Sequence, residues 1–177
     1  MALITETGAG LANAESLISV ADADTYHSGV GNTDWAALSV TDKEQALRRA
    51  TQYMTGAYRL RWLGVRTTMA QALDWPRHRV PVLDLPGFYG FGNFGAYLQS
   101  NIVPVVVAQA CAELALRAST DSLAPDLTRG ILREKVGDLE VEYDQGSPQF
   151  VRFRLVELML RPYLLGGGSS SVGSLSR

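Results

Sequence analysis

The sequence contains few of the residue types that build disulfides, metal sites or reactive nucleophiles. Its 177 residues include one cysteine, Cys111, and two histidines, His27 and His78. A single cysteine excludes an internal disulfide framework, and its place in an apolar segment predicts a small core residue. Neither histidine has a Cys, Asp or Glu neighbour at metal-ligand spacing. We therefore expect no zinc or non-haem iron site, and no cofactor.

Motifs for nucleotide binding and nucleophilic catalysis are also lacking. The sequence has no P-loop, no G-x-G-x-x-G after a strand and no G-x-S-x-G elbow. Gly90-Phe91-Gly92 lies in an aromatic loop, which does not suit a phosphate cradle. Asp22 and Asp24 are two residues apart on a predicted helix, so they face different directions and do not form an acid pair. These absences predict a protein that is not an enzyme.

Targeting and membrane signals are missing as well. The N-terminus has neither a basic region nor a long apolar run, which argues against a signal peptide. The most apolar segment, 103–118, is too short and too interrupted to span a bilayer. We expect a soluble, non-secreted chain with no membrane partner.

Charge is small in total but unevenly distributed. The formal net charge is -2, with 46% hydrophobic and 19% charged residues, as is typical of globular proteins. Residues 1–41 contain five acids and no base, whereas residues 42–79 contain eight bases and three acids. The net charge argues against a generic polyanion binder. The segregation suits ion pairing within the chain, or stacking of one subunit's acidic side on a neighbour's basic side.

The segment 103–118 predicts the central helix. After Pro104, its polar positions recur every four residues and form one narrow stripe of Gln109, Glu113 and Arg117. The remaining positions are apolar and mostly small, which is typical of a helix enclosed by other elements. We interpret the stripe as a subunit contact, together with two arginines on the polar face of the preceding helix, Arg48 and Arg49.

The other elements complete a mainly α fold. We predict one domain over 1–165, a small helical bundle around the central Ala-rich helix with one β-hairpin, followed by a Gly/Ser-rich tail at 166–177. The predicted elements are an N-terminal arm at 1–18, a short helix opened by Ser19, a helix from a capping box at Thr41 to about Ala57, a brief helix at 67–73, a Gly/aromatic loop at 84–100, a hairpin at 132–144 and a helix from Ser147 to about Leu165.

The side chains of the hairpin predict its register. A two-residue turn at 137–138 places Arg133 opposite Glu142 and Lys135 opposite Glu140, so that opposite charges pair across the strands. Acids outnumber bases in this element: Glu134, Asp138, Glu140, Glu142 and Asp144.

Two interpretations of the basic segment at 58–82 remain open. Its arginines, such as Arg77, alternate with Trp62 and Trp75. Proteins that bind single strands combine cations, which contact phosphates, with aromatic side chains, on which bases stack. In the other interpretation the tryptophans are core residues and the arginines form a solvated or interface face. The loop that follows suits an adaptable protein contact, with aromatic anchors at Phe88, Tyr89, Phe91, Phe94 and Tyr97.

The order of several motifs resembles a phage protein family. The motifs are Ser19-Val20-Ala21-Asp22-Ala23-Asp24-Thr25-Tyr26-His27, Asp34-Trp35-Ala36-Ala37-Leu38, Ala46-Leu47-Arg48-Arg49-Ala50-Thr51-Gln52-Tyr53-Met54, Gln71-Ala72-Leu73-Asp74-Trp75-Pro76-Arg77 and Glu134-Lys135-Val136-Gly137. The resemblance covers about residues 2–168. This family is often labelled DnaT-like single-stranded-DNA-binding, and by its helical layout with a late hairpin it resembles head–tail adaptor (connector) proteins of long-tailed phages.

The adaptor resemblance implies a structural virion protein. We expect a homo-oligomer, a 12-mer ring under the portal protein in the virion neck, assembled in the host cytoplasm. Its arm, loop and tail would contact the portal and a tail-side neck or tail-terminator protein, while duplex DNA passes through the channel without sequence-specific binding. In such a ring the acids of the hairpin, Glu134, Asp138, Glu140, Glu142 and Asp144, would face the channel and keep the DNA from sticking. The alternative is a single-stranded-DNA-binding protein of a phage replication or recombination module.

Overall fold

A computed structural model of the chain describes residues 2–82, 96–125, 133–136, 139–142 and 153–166. The fold is mainly helical, as predicted. The elements are α1 (Val20–Gly29), α2 (Thr33–Ala37), α3 (Val40–Tyr58), β1 (Val65–Arg66), β2 (Arg77–His78), α4 (Val105–Thr120), β3 (Arg133–Val136), β4 (Leu139–Glu142), α5 (Arg154–Leu160) and a 3-10 turn (Arg161–Tyr163).

Helices α3 and α4 form the centre of the bundle, and α1 and α5 pack against α4. Alanines on the facing sides are fully buried and allow the two backbones to approach closely, as at Ala46, Ala50 and Ala115. Thr51 and Cys111 meet across this interface, with Oγ1 and Sγ 3.3 Å apart. The prediction of a central Ala-rich helix with a core cysteine is therefore confirmed.

Serine caps determine where α1 and α3 begin. The Ser19 hydroxyl accepts from the amide of Asp22 at 3.1 Å, as the sequence predicts for α1. In α3 the cap is Ser39, whose hydroxyl accepts from the amide of Asp42 at 3.2 Å. The predicted capping box at Thr41 is wrong, because Ser39 and Asp42 have the same capping spacing and begin the helix at Val40.

The bounds of α4 and α5 differ from the prediction. Pro104 is the N-cap of α4, with an extended ψ of 136°, so the helix covers Val105–Thr120 and not 103–118. For α5, the structure describes a helix only from Arg154 to Leu160, after which Pro162 leads into the 3-10 turn. The predicted start at Ser147 lies outside the described residues.

The N-terminal arm folds back onto the helices. Glu6 is buried, and its carboxylate accepts from the backbone amides of Gly8, Gly10 and Leu11 at 2.8 to 2.9 Å. The Leu3 amide also donates to Glu44 on α3. Residues 2–18 are thus part of the folded domain, and the prediction of an arm reaching toward other virion proteins is not supported.

A short loop replaces the helix predicted at 67–73. Thr68 and Gln71 exchange side-chain-to-backbone hydrogen bonds of 2.8 and 3.0 Å, which close a single turn. The Gln71 amide then donates to the carbonyls of Leu73 and Pro76, at 2.9 and 3.1 Å. Because this side chain ties the turn to the following segment, no helix propagates, and the prediction of one here is wrong. The segment leads through a cis Trp75–Pro76 bond into β2, which pairs antiparallel with β1.

The late hairpin has the predicted register. Strands β3 and β4 pair antiparallel with Arg133 opposite Glu142, Lys135 opposite Glu140 and Val136 opposite Leu139. The turn at 137–138, most of the Gly/aromatic loop and the tail at 167–177 lie outside the described residues. Within the described part of the chain, no helix combines the length and hydropathy needed to cross a bilayer.

Candidate nucleic-acid interface

The two tryptophans of the basic segment are core residues. Trp62 is 3% exposed and Trp75 is fully buried, with ring centroids 5.6 Å apart in an edge-to-face arrangement. Tyr58 and Tyr163 pack against the same pair. Neither indole face is open to a nucleobase, so the core interpretation of the tryptophans is confirmed.

Two arginines of this segment hold the fold around those tryptophans. The buried Arg77 guanidinium donates to the carbonyls of Leu63, Gly64 and Asp74, at 2.7 to 3.2 Å. Burial lowers the pKa of Arg77. Arg59 donates to the buried Asp74 carboxylate at 2.9 Å. Arg77, which the single-strand hypothesis used as a phosphate contact, is therefore a structural residue.

The polar stripe of α4 makes its contacts within the chain. The buried Glu113 carboxylate accepts from Tyr26 of α1 at 2.9 Å and from Arg117 at 2.8 Å. Burial and this bond raise the pKa of Tyr26 to about 12. Arg117 also lies over the ring of Phe153, while Gln109 lines a groove beside α1 and the arm. These contacts within one chain account for the polar residues of the stripe. Its role as a subunit contact stays a prediction.

Arg48 and Arg49 have different surroundings although they are adjacent. Arg48 binds Glu15 of the arm at 3.0 Å and Glu44 at 3.5 Å, so it joins the arm to α3. Arg49 is exposed on the next face of the helix. The predicted pair is thus separated into a structural arginine and a surface arginine.

The other predicted site residues are described only in part. Tyr97 is 57% exposed and forms a β-bridge with Pro81. Phe88, Tyr89, Phe91 and Phe94 lie outside the described residues, as do Asp138 and Asp144. Glu134, Glu140 and Glu142 occupy β3 and β4. The predicted roles of the loop as a protein contact and of the hairpin as a channel wall have no structural support here.

Three arginines from distant parts of the chain line one groove, which we call the arginine groove. They are Arg61, after α3, Arg154, at the start of α5, and Arg161, in the 3-10 turn. Glu157 is the acid in this lining, so these four side chains carry a formal charge of +2. The groove has a volume of about 280 Å³.

The contacts that Arg61 makes inside the arginine groove are weak and exposed. Arg61 lies 3.9 Å from Glu157, and their side chains are 49% and 39% exposed. An exposed pair at this distance contributes little, because water screens it. The Arg61 guanidinium also lies 5.2 Å from the centre of the Tyr58 ring, which holds the side chain in place by a cation–π contact. Leu158 and Leu165 are half exposed along the same lining.

A larger groove lies between α3 and the C-terminal end of α4, and we call it the α3–α4 groove. Its volume is about 880 Å³. Arg49, Gln52, Tyr53 and Gly56 line it from one face of α3, with the segment 118–124 opposite. Tyr53 packs edge-to-face on Phe153, with centroids 5.5 Å apart, and Phe153 directly precedes Arg154. The two grooves are therefore neighbours.

Cys111 and His27, whose residue types are common in catalysis, are buried in the core. Burial raises the pKa of the Cys111 thiol to about 11, which keeps it protonated and unreactive. Burial lowers the pKa of His27, whose Nε2 lies 3.1 Å from the Ala112 carbonyl and whose Nδ1 lies 3.0 Å from the Asn32 amide. Among the described residues, no group of three His, Cys, Asp or Glu side chains could hold a metal ion.

The sequence prediction did not include Arg154 and Arg161. They are seven residues apart, close to two helical turns, and Glu157 lies between them on the same side. That spacing could have indicated a basic surface. The segment is mostly apolar, however, so it was interpreted as a core helix. The third member, Arg61, is far away in sequence and joins the group only through the packing of the chain.

The described structure is a mainly helical bundle in which three arginines line one groove. A family model described as "Putative DnaT-like ssDNA binding protein" matches residues 1–177. The chain therefore belongs to this family. No curated protein and no solved structure gives a significant match.

The family match corrects the functional expectation. The description of the family names single-stranded DNA, whereas the order of motifs in the sequence favoured a head–tail adaptor. The adaptor role is therefore wrong, and with it the ring in the virion neck, the portal and tail-side partners, and the duplex DNA in a channel. The match favours the alternative, single-strand binding. The location of the protein and the absence of catalysis stay predictions.

Proposed function

We propose that the protein binds single-stranded DNA through the arginine groove. The observation that carries this proposal is the convergence of Arg61, Arg154 and Arg161 on one exposed surface beside a single carboxylate. A guanidinium presents a planar fork of donors that matches two phosphate oxygens. Three such groups on one surface suit a backbone with one negative charge per nucleotide. Membership of the family supports the same ligand.

The shape of the groove favours a single strand over a duplex. Its volume of about 280 Å³ is suited to one small group at a time and not to a whole helix. A single strand is flexible, so successive phosphates can approach arginines that are not arranged along a duplex backbone. Half-exposed Leu158 and Leu165 offer an apolar surface to sugars and base faces beside those cations.

Salt-dependent binding of a labelled oligothymidylate tests the proposal. Fluorescence anisotropy is measured over a series of NaCl concentrations for the wild type, for Arg154→Ala and for Arg154→Ala combined with Arg161→Ala. For single strands the slope of log K against log salt becomes shallower by about 0.7 for each phosphate that the protein no longer neutralises. We expect a decrease of about 0.7 for the single variant and about twice that for the double variant.

The controls separate a site from a general charge effect. Arg79→Ala removes one positive charge from an exposed side chain outside the groove lining. It should leave the affinity nearly unchanged. Arg154→Lys, which keeps the charge but not the fork of donors, should keep the salt slope of the wild type and lose less affinity than Arg154→Ala. Equal reductions in affinity for Arg79→Ala and Arg154→Ala would contradict the groove as the site. If the wild type fails to bind at low salt, single-strand binding itself is excluded.

A further inference from the structure

We propose that the α3–α4 groove is a nucleobase site for the strand whose phosphates contact the arginine groove. This inference rests on the proposed function, because it takes its ligand from there. It goes further by assigning bases and phosphates to different surfaces. The residues that carry it are Arg49, Tyr53 and Gly56 on α3.

The lining of the α3–α4 groove has the chemistry of a base pocket. A nucleobase has two flat, weakly polar faces and an edge of hydrogen-bond donors and acceptors. Gly56 and Ala57 give the α3 side a flat surface, because neither carries a long side chain. Donors and acceptors stand around that surface, including the amide of Gln52 and the hydroxyls of Ser119 and Thr120. A flat ring can therefore lie on the apolar part and make hydrogen bonds at its edge.

The two grooves are joined by a chain of aromatic and charged contacts. Tyr53 lines the α3–α4 groove and packs on Phe153, the residue before Arg154. Burial raises the pKa of Tyr53; of the charges in the arginine groove, Glu157 raises it further and Arg61 lowers it. Among the described residues, the connection between the two grooves therefore runs through Tyr53, Phe153 and Arg154.

Arg49 makes the groove suitable for a nucleic acid and not only for an apolar ligand. It is exposed and lies one helical turn before Tyr53 on the same face of α3. An arginine beside an aromatic ring offers a phosphate contact and a planar cation next to a base. With the arginine groove beyond Phe153, cations flank the base pocket on two sides. Asp121 is the acid of the same lining, so the α3–α4 groove has no net formal charge and the excess of cations lies in the arginine groove, where the phosphates of the strand would bind.

Filling the groove from the position of Gly56 tests the inference. A Cβ added at Gly56 would meet no atom within 4 Å, so Gly56→Leu can project into the groove without a clash. Gly29, at the end of α1, is equally open and lies outside the groove lining, so Gly29→Leu is the matched control. Ala57 is the next residue and is also exposed, so Ala57→Leu should fill the same groove. This second variant replaces Gly56→Leu in the test if Gly56→Leu does not fold.

The ligands are an oligothymidylate and an abasic oligonucleotide of the same length and charge. We expect the wild type and Gly29→Leu to prefer the oligothymidylate by about tenfold, the size of effect that stacking of one base on an aromatic side chain, here Tyr53, can give. In Gly56→Leu and Ala57→Leu that preference should disappear, while the weaker binding of the abasic strand and its salt dependence remain. Circular dichroism and thermal unfolding establish that each variant is folded.

Each result distinguishes the two proposals. If the wild type binds both oligonucleotides equally and with normal salt dependence, the base site is wrong and the proposed function stands. If folded Gly56→Leu and Ala57→Leu keep the full preference for bases, the α3–α4 groove is not the base site. If the wild type binds neither oligonucleotide, the proposed function fails as well.

Discussion

The guanidinium of Arg61 lies 3.9 Å from the carboxylate of Glu157, the acid in the described lining of the arginine groove. The pair joins the segment after α3 to α5. Because both side chains are well exposed, the contact is screened and contributes little to folding. Its main consequence is electrostatic, since the carboxylate opposes the approach of a phosphate.

Glu157→Gln should therefore tighten binding to single-stranded DNA. The change removes a negative charge from the groove and leaves a side chain of the same size. We expect the affinity for an oligothymidylate to rise about two- to fivefold at low salt, because an exposed charge contributes up to about 1 kcal/mol. Anisotropy at low and high NaCl measures the gain, which should diminish with salt. A weaker complex at low salt would show that phosphates do not enter this groove.

Asp74 should be important for stability and not for binding. Its carboxylate is 3% exposed and accepts from Arg59 Nε at 2.9 Å and from Trp62 Nε1 at 3.3 Å. Asp74→Asn retains the shape but replaces one acceptor with a donor, so one of these two partners loses its bond. We expect a loss of about 1–3 kcal/mol in the free energy of unfolding, measured with urea.

The matched control is Asp34→Asn, because Asp34 is an exposed acid in the first turn of α2. A surface change of this kind should alter stability by about 0.5 kcal/mol or less. If the two variants unfold at the same urea concentration, the bonds of Asp74 do not stabilise the fold.

Local patterns in the sequence predicted much of the fold. The buried positions Ala46, Leu47, Ala50 and Met54 repeat with helical spacing, so the α3 core face could be identified from the sequence alone. The hairpin register followed from opposite charges at facing positions. Both cases depend on residues that are close in sequence. The exact starts of α3 and α4 were missed, because neighbouring residues competed for the cap position.

The candidate site could not be predicted in the same way. Trp62 and Arg77 have the composition of a nucleic-acid surface, yet the fold buries them around Asp74. Composition does not distinguish a buried arginine with carbonyl partners from an exposed one. Arg61 and Arg154 are brought together only by the packing of α5 on the bundle. Such long-range proximity has no periodic signature in one sequence.

Two glycines should respond to alanine in opposite directions. Gly56 lies inside α3 with open space around it, so Gly56→Ala should stabilise the protein by about 0.5–1 kcal/mol through helix propensity. Gly8 has a φ of +95°, and a Cβ there would collide with the backbone carbonyl of Asn101. Gly8→Ala should therefore destabilise by at least about 1–2 kcal/mol. Thermal unfolding measures both changes, and a stabilising Gly8→Ala would contradict the packing of the arm.

His27 should make stability depend on pH. Burial lowers its pKa below the ordinary value of 6.5, and its neutral form is fully hydrogen-bonded, with Nε2–H donating to the Ala112 carbonyl and Nδ1 accepting from Asn32. Between pH 6.5 and the lower pKa of the folded state, the unfolded chain binds more protons than the folded chain. The contribution of His27 is therefore complete above pH 6.5 and is lost as the pH falls below it.

The charged groups around His27 do not change this sign. Asp24 and Glu113 favour its protonated form and Lys43 opposes it, but burial has the largest effect. His27→Gln retains an amide that can donate to Ala112 and removes the titration. We expect the wild type to lose more thermal stability than this variant between about pH 7.5 and about pH 5.5, the range in which histidine titrates. Parallel losses in the two proteins would show that His27 is not the group responsible.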